Sequence, residues 1–193
     1  MKPYSLSLFL FITTCLSSCI PGKDKDGKPE TVALKPVSIN GGQYSMDVPE
    51  YMSKASSLND GASLQYQNLF KEAYVIVIDE DKQTYIDSYK ELSVYDTTRS
   101  VISNYTDTQI QSTTSSVDVI NKSEIESFKV NGLKAKSIEI DANLEGIGSA
   151  ITYFITCVEG RNSLYLVMAW TLQDRKEKHR ETFRQMVRTF REG

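Results

Sequence analysis

The sequence predicts one α+β domain whose strands are antiparallel neighbours, and two hairpins carry most of this prediction. The first hairpin turns at Asn131-Gly132, which joins two segments of alternating apolar and polar residues. Asn-Gly is a preferred two-residue hairpin turn because both residues tolerate the positive φ that matches strand twist. Residues 150–158 and 163–170 form a second alternating pair, joined by residues 159–162. Strands joined by such short turns pair in the antiparallel sense.

The last segment, residues 173–191, is predicted to be an amphipathic helix. Thr171 and Asp174 have the spacing of a capping-box start. Apolar residues then recur with helical spacing at Phe183, Met186, Val187 and Phe190. The opposite face carries the basic residues Arg175, Lys176, Lys178, Arg180 and Arg184. We interpret this basic face as solvated; the alternative is a partner-binding face.

The domain begins with three predicted strands. Residues 43–49 alternate apolar and polar side chains and end at a proline, which cannot donate to a ladder. Residues 63–70 also alternate, and residues 73–78 form a β-branched apolar run that is typical of a central strand buried on both faces. The acidic run at residues 79–81 is predicted to end this strand and to cap the following helix, since acids oppose the positive helix terminus.

The middle of the domain has a different period. Residues 82–111 show helical spacing with a break near residues 96–98, which predicts one or two helices. Residues 117–127 form a further predicted strand. We interpret its Glu124 and Glu126 as exposed charges of an edge strand. The alternative is a carboxylate pair for acid-base catalysis.

The first 18 residues are predicted to be a lipoprotein signal peptide. Lys2 precedes an apolar run at residues 6–16, which is too short to span about 30 Å of hydrocarbon. The run Leu-Ser-Ser-Cys at residues 16–19 resembles the lipobox of bacterial lipoproteins, in which an apolar residue and two small residues precede an obligatory cysteine. The resemblance implies cleavage before Cys19 and attachment of lipid to its thiol. The alternatives are cleavage at a nearby small residue and an uncleaved anchor.

Cleavage there would leave a lipidated flexible tether, residues 19–36, and a single domain, residues 37–193. The tether is rich in Lys, Asp, Gly, Pro and Thr and has almost nothing apolar enough to bury. We therefore expect a protein of the cell envelope, anchored through the lipid on Cys19 to a bacterial membrane. We expect this membrane to be the outer membrane. The sequence does not decide between its periplasmic face and its surface face.

Charge and cysteine usage narrow the classes of function. The full chain has 22 Lys and Arg side chains and 25 Asp and Glu side chains. Cleavage of the signal peptide would remove Lys2 and leave 21 basic and 25 acidic side chains. A mildly acidic chain with dispersed charge has no electrostatic footprint for nucleic acid, so no nucleic-acid partner is expected. With Cys15 removed and Cys19 lipidated, only Cys157 would stay a thiol, so no internal disulfide is expected.

Few side chains suggest catalytic chemistry. His179 is the only histidine and lies between Lys178 and Arg180, where we expect a solvated side chain and not a catalytic base. Cys157 lies in an alternating apolar run and is interpreted as a small buried hydrophobe, not a nucleophile. The chain has no nucleophile-elbow, P-loop or dinucleotide-binding motif, and residues 79–81 lack the spaced ligands of a calcium loop. The sequence thus predicts no catalytic residue, no metal site and no cofactor.

Several segments together resemble one known family. They are Tyr-Ser-Met-Asp-Val-Pro at residues 44–49, Val-Asn-Gly-Leu-Lys-Ala at 130–135, Tyr-Leu-Val-Met-Ala at 165–169 and Phe-Arg-Gln-Met-Val-Arg-Thr-Phe at 183–190. The pattern is similar to the PsbP-like family over residues 37–191. This resemblance implies an antiparallel sheet of about six or seven strands flanked by helices. The family includes extrinsic photosystem subunits, nuclear Ran-binding proteins and bacterial envelope lipoproteins, and it supplies no shared catalytic residues. Its members use different surfaces for different partners.

The tyrosines of the helical middle are the remaining binding candidates. They are Tyr85, Tyr89, Tyr95 and Tyr105. Because tyrosine has an apolar body and a polar tip, both a carbohydrate or peptide groove and ordinary packing fit, and we favour packing. The leading hypothesis is a noncatalytic envelope lipoprotein that binds another envelope protein as an assembly or accessory factor. The alternative is a carrier of a small apolar or glycan ligand between sheet and helices, and an enzyme is not expected.

Overall fold

The computed structural model describes residues 32–146 and 148–193. The strands are β1 (Leu34–Ile39), β2 (Tyr44–Pro49), β3 (Ser53–Lys54), β4 (Leu64–Asn68), β5 (Ala73–Asp81), β6 (Asp118–Lys122), β7 (Glu126–Val130), β8 (Leu133–Asn143), β9 (Ile151–Glu159), β10 (Ser163–Leu172) and β11 (Arg191–Glu192). The helices are α1 (Lys82–Glu91), α2 (Val101–Thr114) and α3 (Lys176–Arg188). A 3₁₀ turn, Gln173–Arg175, leads into α3.

The paired strands are antiparallel, which confirms the predicted α+β class. Seven strands lie side by side in the order β3-β4-β5-β10-β9-β8-β6, and β7 joins this large sheet by pairing with β8. A small sheet has the order β1-β2-β11. The large sheet thus has eight strands, close to the six or seven expected, and the small sheet adds three more.

Because side chains alternate along a strand, the large sheet buries a separate apolar cluster on each face. One face is covered by α3 and the small sheet, and its fully buried side chains include Tyr44, Met46 and Phe190. The other face is covered by α1 and α2, and its fully buried side chains include Tyr105 and Cys157. The first face carries the candidate site described below.

The predicted hairpins are confirmed. In the first, Val130 pairs with Leu133, and the turn residues Asn131 and Gly132 have φ angles of 47° and 88°. Positive φ at both central positions is the requirement of a type I′ turn. In the second hairpin, β9 and β10 pair along their lengths.

The strand-to-helix junction after β5 also agrees with the prediction. β5 is an inner strand between β4 and β10, and the predicted break near residues 96–98 separates α1 from α2. The Asp81 side chain accepts a hydrogen bond from the backbone N–H of Thr84 at 2.7 Å and so caps α1. This bond holds the pKa of the Asp81 carboxyl below its usual value.

Two predicted boundaries differ in the structure. The single strand expected at residues 117–127 is two strands, β6 and β7, which pair with different halves of β8. A bulge between Val119 and Asn121 interrupts the ladder, and the Ser123 hydroxyl then accepts a hydrogen bond from the backbone of Glu139. The tether expected for residues 19–36 is also too long, since its last three residues belong to β1 and pair with β2.

The start of the last helix differs as well. Thr171 is a buried residue of β10, and no side chain caps the 3₁₀ turn or α3, so the predicted capping box is wrong. Thr171 cannot cap the helix because it is held in the ladder opposite Thr152. The apolar face is confirmed: Phe183 and Met186 are buried within α3, and Phe190 is buried just beyond its end.

The predicted signal peptide, residues 1–18, and the predicted lipid site Cys19 lie outside the described residues and stay predictions. Within residues 32–146 and 148–193, no helix combines the length and the apolar character needed to cross a membrane.

Candidate functional site

A cleft lies between α3 and the large sheet. Its volume is about 720 Å³, within the range of about 300–1,000 Å³ that is typical of ligand pockets. Strands β5, β7, β8, β9 and β10 supply its floor, and α3 supplies its roof. Its apolar lining consists of Val75, Phe128, Ile138, Phe154, Val167, Ala169, Phe183, Met186 and Val187.

Ion pairs join the two sides of this cleft. Arg180 on α3 donates through Nε and Nη2 to both carboxylate oxygens of Glu139 on β8, at 2.9 to 3.1 Å. The hydrogen bonds to Glu139 raise the pKa of the Arg180 guanidinium. Arg184, one helical turn later, lies 3.3 Å from Glu139 and 3.9 Å from Glu126 on β7. These ion pairs therefore hold α3 against β7 and β8 of the large sheet.

These contacts correct the prediction of a solvated basic face on α3. Lys176, Arg180 and Arg184 all pair with carboxylates of the sheet. The acidic partners on β8 lie 35 to 45 residues earlier in the chain, so no local pattern could reveal them. Lys178, by contrast, is exposed as expected.

A buried ion pair lies near the start of α3. Lys176 donates to Asp141 Oδ2 at 2.7 Å, and the Thr152 hydroxyl donates to Asp141 Oδ1 at 2.6 Å. Burial raises the pKa of the Asp141 carboxyl, but the hydrogen bonds from Lys176, Thr152 and Gln173 outweigh burial and lower it. The carboxylate is therefore ionised at neutral pH, and the pair links α3 to β8 and β9.

His179 is buried, so the expectation of a solvated side chain is wrong. Its ring stacks on Phe183 with the centroids 5.6 Å apart, and Nε2–H donates to the carbonyl oxygen of Lys71 at 3.1 Å. Burial lowers the pKa of His179, and the nearby cations Lys178, Lys71 and Arg175 act in the same direction. The neutral imidazole ties α3 to the turn between β4 and β5. The spacing of His179 and Phe183 at i and i+4 could have placed it on the apolar face.

Cys157 is fully buried in the second apolar cluster, as predicted. Burial raises the pKa of its thiol to about 12. Since the thiolate is the reactive form, this cysteine is inert near neutral pH.

The four candidate tyrosines meet in one cluster on the face opposite the cleft. The Tyr85 ring centroid lies 4.5 Å from that of Tyr89, 6.4 Å from that of Tyr95 and 5.2 Å from that of Tyr105. The Tyr105 hydroxyl donates to Glu80 at 3.0 Å. Tyr85 and Tyr105 are buried and fill the space between the helices and the sheet, whereas Tyr89 and Tyr95 are half-buried. Two of the four are thus core residues, and none lines the cleft.

A second surface feature is apolar and protrudes. Leu69 and Phe70 begin the tight turn between β4 and β5, with 61% and 96% of their side chains exposed. In the strand that follows this turn, Tyr74 of β5 stacks on Trp170 of β10 with the centroids 5.3 Å apart, and both are half-buried. The Tyr74 hydroxyl donates to Glu72 in the turn at 2.9 Å. We call Leu69, Phe70, Tyr74 and Trp170 the apolar tip.

The apolar tip is not apparent from the sequence, because the alternation of apolar and polar residues extends the predicted strand through residues 63–70. The signal against that extension is Asn68, whose side chain accepts a hydrogen bond from the backbone N–H of Lys71 at 2.9 Å. Asparagine stabilises turns in this way.

Glu124 lies between β6 and β7, and Glu126 is the first residue of β7. Both are exposed, as predicted.

These features define an antiparallel α+β domain with an ion-paired cleft on one sheet face and an exposed apolar tip. The PsbP family model matches residues 33–192, and the chain belongs to the PsbP family. This match confirms the family resemblance found in the sequence. No curated protein matches this sequence significantly.

Two solved structures show the same fold. One is the solution structure of CyanoP, the cyanobacterial PsbP of Synechocystis, with 12% identity, a TM-score of 0.52, and 84% of this chain and 94% of that chain covered. The other is a crystal structure from Bacteroides thetaiotaomicron, with 10% identity and a TM-score of 0.51. It covers 82% of this chain and 48% of that one, so this chain spans about half its length. At such identities the likeness shows the fold alone.

Proposed function

We propose that this chain is a noncatalytic accessory protein of the bacterial cell envelope, anchored by lipid on Cys19, which binds another envelope protein through its apolar tip. The observation that carries the proposal is Phe70, an aromatic side chain that is 96% exposed. Exposed apolar residues are ordinary when they are scattered singly. Here Phe70 follows the exposed Leu69 in a turn that leads into β5, the strand whose Tyr74 stacks on Trp170.

The backbone beneath Phe70 is held rigidly by contacts from α3 and its preceding turn. Arg175 donates to the carbonyl oxygen of Phe70 at 3.2 Å, and His179 donates to that of Lys71 at 3.1 Å. The Asn68 side chain accepts from the backbone of Lys71. A rigid scaffold that presents an exposed aromatic ring pays little ordering cost on binding. Such a ring is therefore suited to fill an apolar recess on a partner.

The composition of the tip fits a binding hot spot. Tryptophan and tyrosine are enriched among residues that contribute most to protein interfaces, and they cluster with apolar contacts that exclude water. Tyr74 and Trp170 lie directly opposite each other on neighbouring strands, with nearly parallel rings. The expected partner is a protein with an apolar recess wide enough for Phe70 and Leu69.

A second candidate function is the carriage of a small apolar ligand. The observation that favours it is the cleft between α3 and the large sheet. A glycan ligand has less support, because the candidate tyrosines lie on the opposite face, away from this cleft.

Substitution of the tip is expected to remove partner binding while leaving the fold intact. A photoreactive phenylalanine at position 70 should give one discrete protein adduct in living cells, and Leu69→Ser in the same chain should lower its yield at least about tenfold. The change should be large because apolar anchors at the centre of an interface contribute most of the affinity. Adduct yield on denaturing gels is the measurement.

Leu92 provides the matched control, since it is 68% exposed and lies at the end of α1, outside the apolar tip. Leu92→Ser should leave the adduct unchanged, and the photoreactive residue at position 92 should not form it. If position 70 forms adducts with lipid alone, the tip faces a membrane and the proposal of a protein partner is wrong.

Cys19→Ser is expected to abolish lipid labelling and to leave the precursor unprocessed. Only a thiol can take the diacylglycerol, and each buried methylene contributes roughly 0.8 kcal/mol to membrane binding. Incorporation of radiolabelled palmitate measures the loss. Cys15→Ser is the control, because Cys15 lies in the predicted signal and should label like the wild type. Undiminished labelling of Cys19→Ser would refute the lipobox assignment.

A further inference from the structure

The interior of the cleft favours an apolar group. Phe128 of β7, Phe154 of β9 and Phe183 of α3 line it together with smaller aliphatic side chains. Phe154 and Phe183 contact each other with their ring centroids 5.2 Å apart, so they form one continuous aromatic wall. Apolar walls of this kind release water when an apolar ligand covers them.

The floor of the cleft also carries polar atoms at a defined place. Ser137 of β8 and Thr156 of β9 line the cleft and lie directly opposite each other on neighbouring strands. Glu126 of β7 lies opposite Ser137 on its other side. Hydroxyl groups in a mainly apolar pocket are the groups that orient a ligand. The row Glu126, Ser137 and Thr156 therefore marks where a polar head would lie.

The three arginines that line the cleft are not equally free to bind a ligand. Arg180 is engaged by Glu139 and by Glu177, and Arg188 pairs with Glu181 at 2.7 Å. Arg184 has weaker partners: it shares Glu139 with Arg180 at 3.3 Å and reaches Glu126 at 3.9 Å.

The contact of Arg184 with Glu126 is easily displaced. The side chain of Glu126 is 67% exposed and that of Arg184 is 45% exposed, and exposed pairs of this kind contribute little to stability. A ligand carboxylate could replace Glu126 and pair with the guanidinium in two parallel hydrogen bonds.

We propose that the cleft binds an amphiphilic carboxylate, with its apolar chain packed against the aromatic side chains Phe128, Phe154 and Phe183. Its carboxylate pairs with Arg184 and accepts a hydrogen bond from Ser137. Arg184 then acts as the specificity residue, because it has the weakest present partners among the three arginines that line the cleft and its guanidinium can pair with a carboxylate in two parallel hydrogen bonds. This inference rests on the second candidate function, the carriage of a ligand in this cleft, and is independent of the partner-binding apolar tip, which is a different surface.

The test uses the full chain in lipid nanodiscs and a dodecanoate that bears a photoreactive diazirine in its chain. Labelling should be saturable, should map by mass spectrometry to peptides that contain Phe128, Phe154 or Phe183, and should be competed by dodecanoate. Dodecanol, which has the same chain without the charge, should compete at least about tenfold less well, since it cannot accept the charge-assisted hydrogen bonds of Arg184.

Three variants make the result decisive. Arg184→Gln should equalise competition by dodecanoate and dodecanol, while Lys178→Gln, on the exposed face of the same helix, should preserve the preference. Ser137→Leu should fill the floor and abolish labelling of the cleft peptides in protein whose near-ultraviolet circular dichroism is unchanged. Labelling outside the cleft, or a carboxylate preference that survives Arg184→Gln, would overturn the inference.

Discussion

Replacing Phe190 by alanine is expected to lower the free energy of unfolding by about 3–5 kcal/mol. The ring is fully buried just beyond α3, stacked on Tyr44 at 5.4 Å and edge-on to Tyr165 at 4.9 Å between centroids. Tyr44 belongs to the small sheet and Tyr165 to the large sheet. Alanine would therefore leave a cavity where both sheets meet the C-terminal segment. Urea unfolding of residues 32–193 measures the change as a shift in midpoint at constant slope.

Phe70→Ala is the matched control for this prediction. It removes the same atoms from a side chain that is 96% exposed, so the free energy of unfolding should change by less than about 0.5 kcal/mol. If both variants lower the free energy of unfolding by less than about 0.5 kcal/mol, the C-terminal segment does not pack as described. The small sheet must then be held by other contacts.

The predictable parts of the fold are those whose signals are local in the chain. Asn131-Gly132 specifies its own turn, and the apolar spacing of α3 specifies which side of the helix is buried. β11 could not be predicted, because its two residues form a strand only by pairing with Ser45 and Tyr44 at the other end of the domain. The division of residues 117–127 depends in the same way on Glu139, which bonds to Ser123.

The candidate site was less accessible to sequence reasoning than the fold. A basic stripe on a helix is ordinarily solvated, and only the folded sheet brings Glu139 within reach of Arg180. At the cleft, α3 is joined to the sheet by the ion pairs of Arg180 and Arg184 with Glu139, and these pairs form only in the folded domain. The apolar tip depends on whether Leu69 and Phe70 lie in a strand or in a turn, and alternation alone does not distinguish these cases.

Lys176→Met is expected to lower the free energy of unfolding by about 3 kcal/mol at neutral pH, because it leaves the Asp141 carboxylate buried without its cation. Asp141 is 4% exposed, and Lys176 Nζ lies 2.7 Å from its Oδ2. Methionine keeps most of the aliphatic stem, so the loss reports mainly on the charge. Urea midpoints at pH 7 measure it, with Lys178→Met as the control, since Lys178 is exposed on the same helix.

The pH dependence separates lost charge from lost packing. In the wild type the folded-state pKa of Asp141 is lowered, since the bonds from Lys176, Thr152 and Gln173 outweigh burial. The pair therefore stabilises the fold above the unfolded-state pKa of about 3.9 and loses this effect as the pH falls through the lower folded value. Without Lys176, burial should raise the pKa of Asp141. The carboxyl should then protonate at a higher pH than in the wild type, and the neutral acid is less costly to bury than the unpaired carboxylate. The difference between wild type and Lys176→Met should thus be largest at pH 7 and shrink as the pH approaches about 3. A difference that stays constant over this range would assign the loss to the packing of the Lys176 stem.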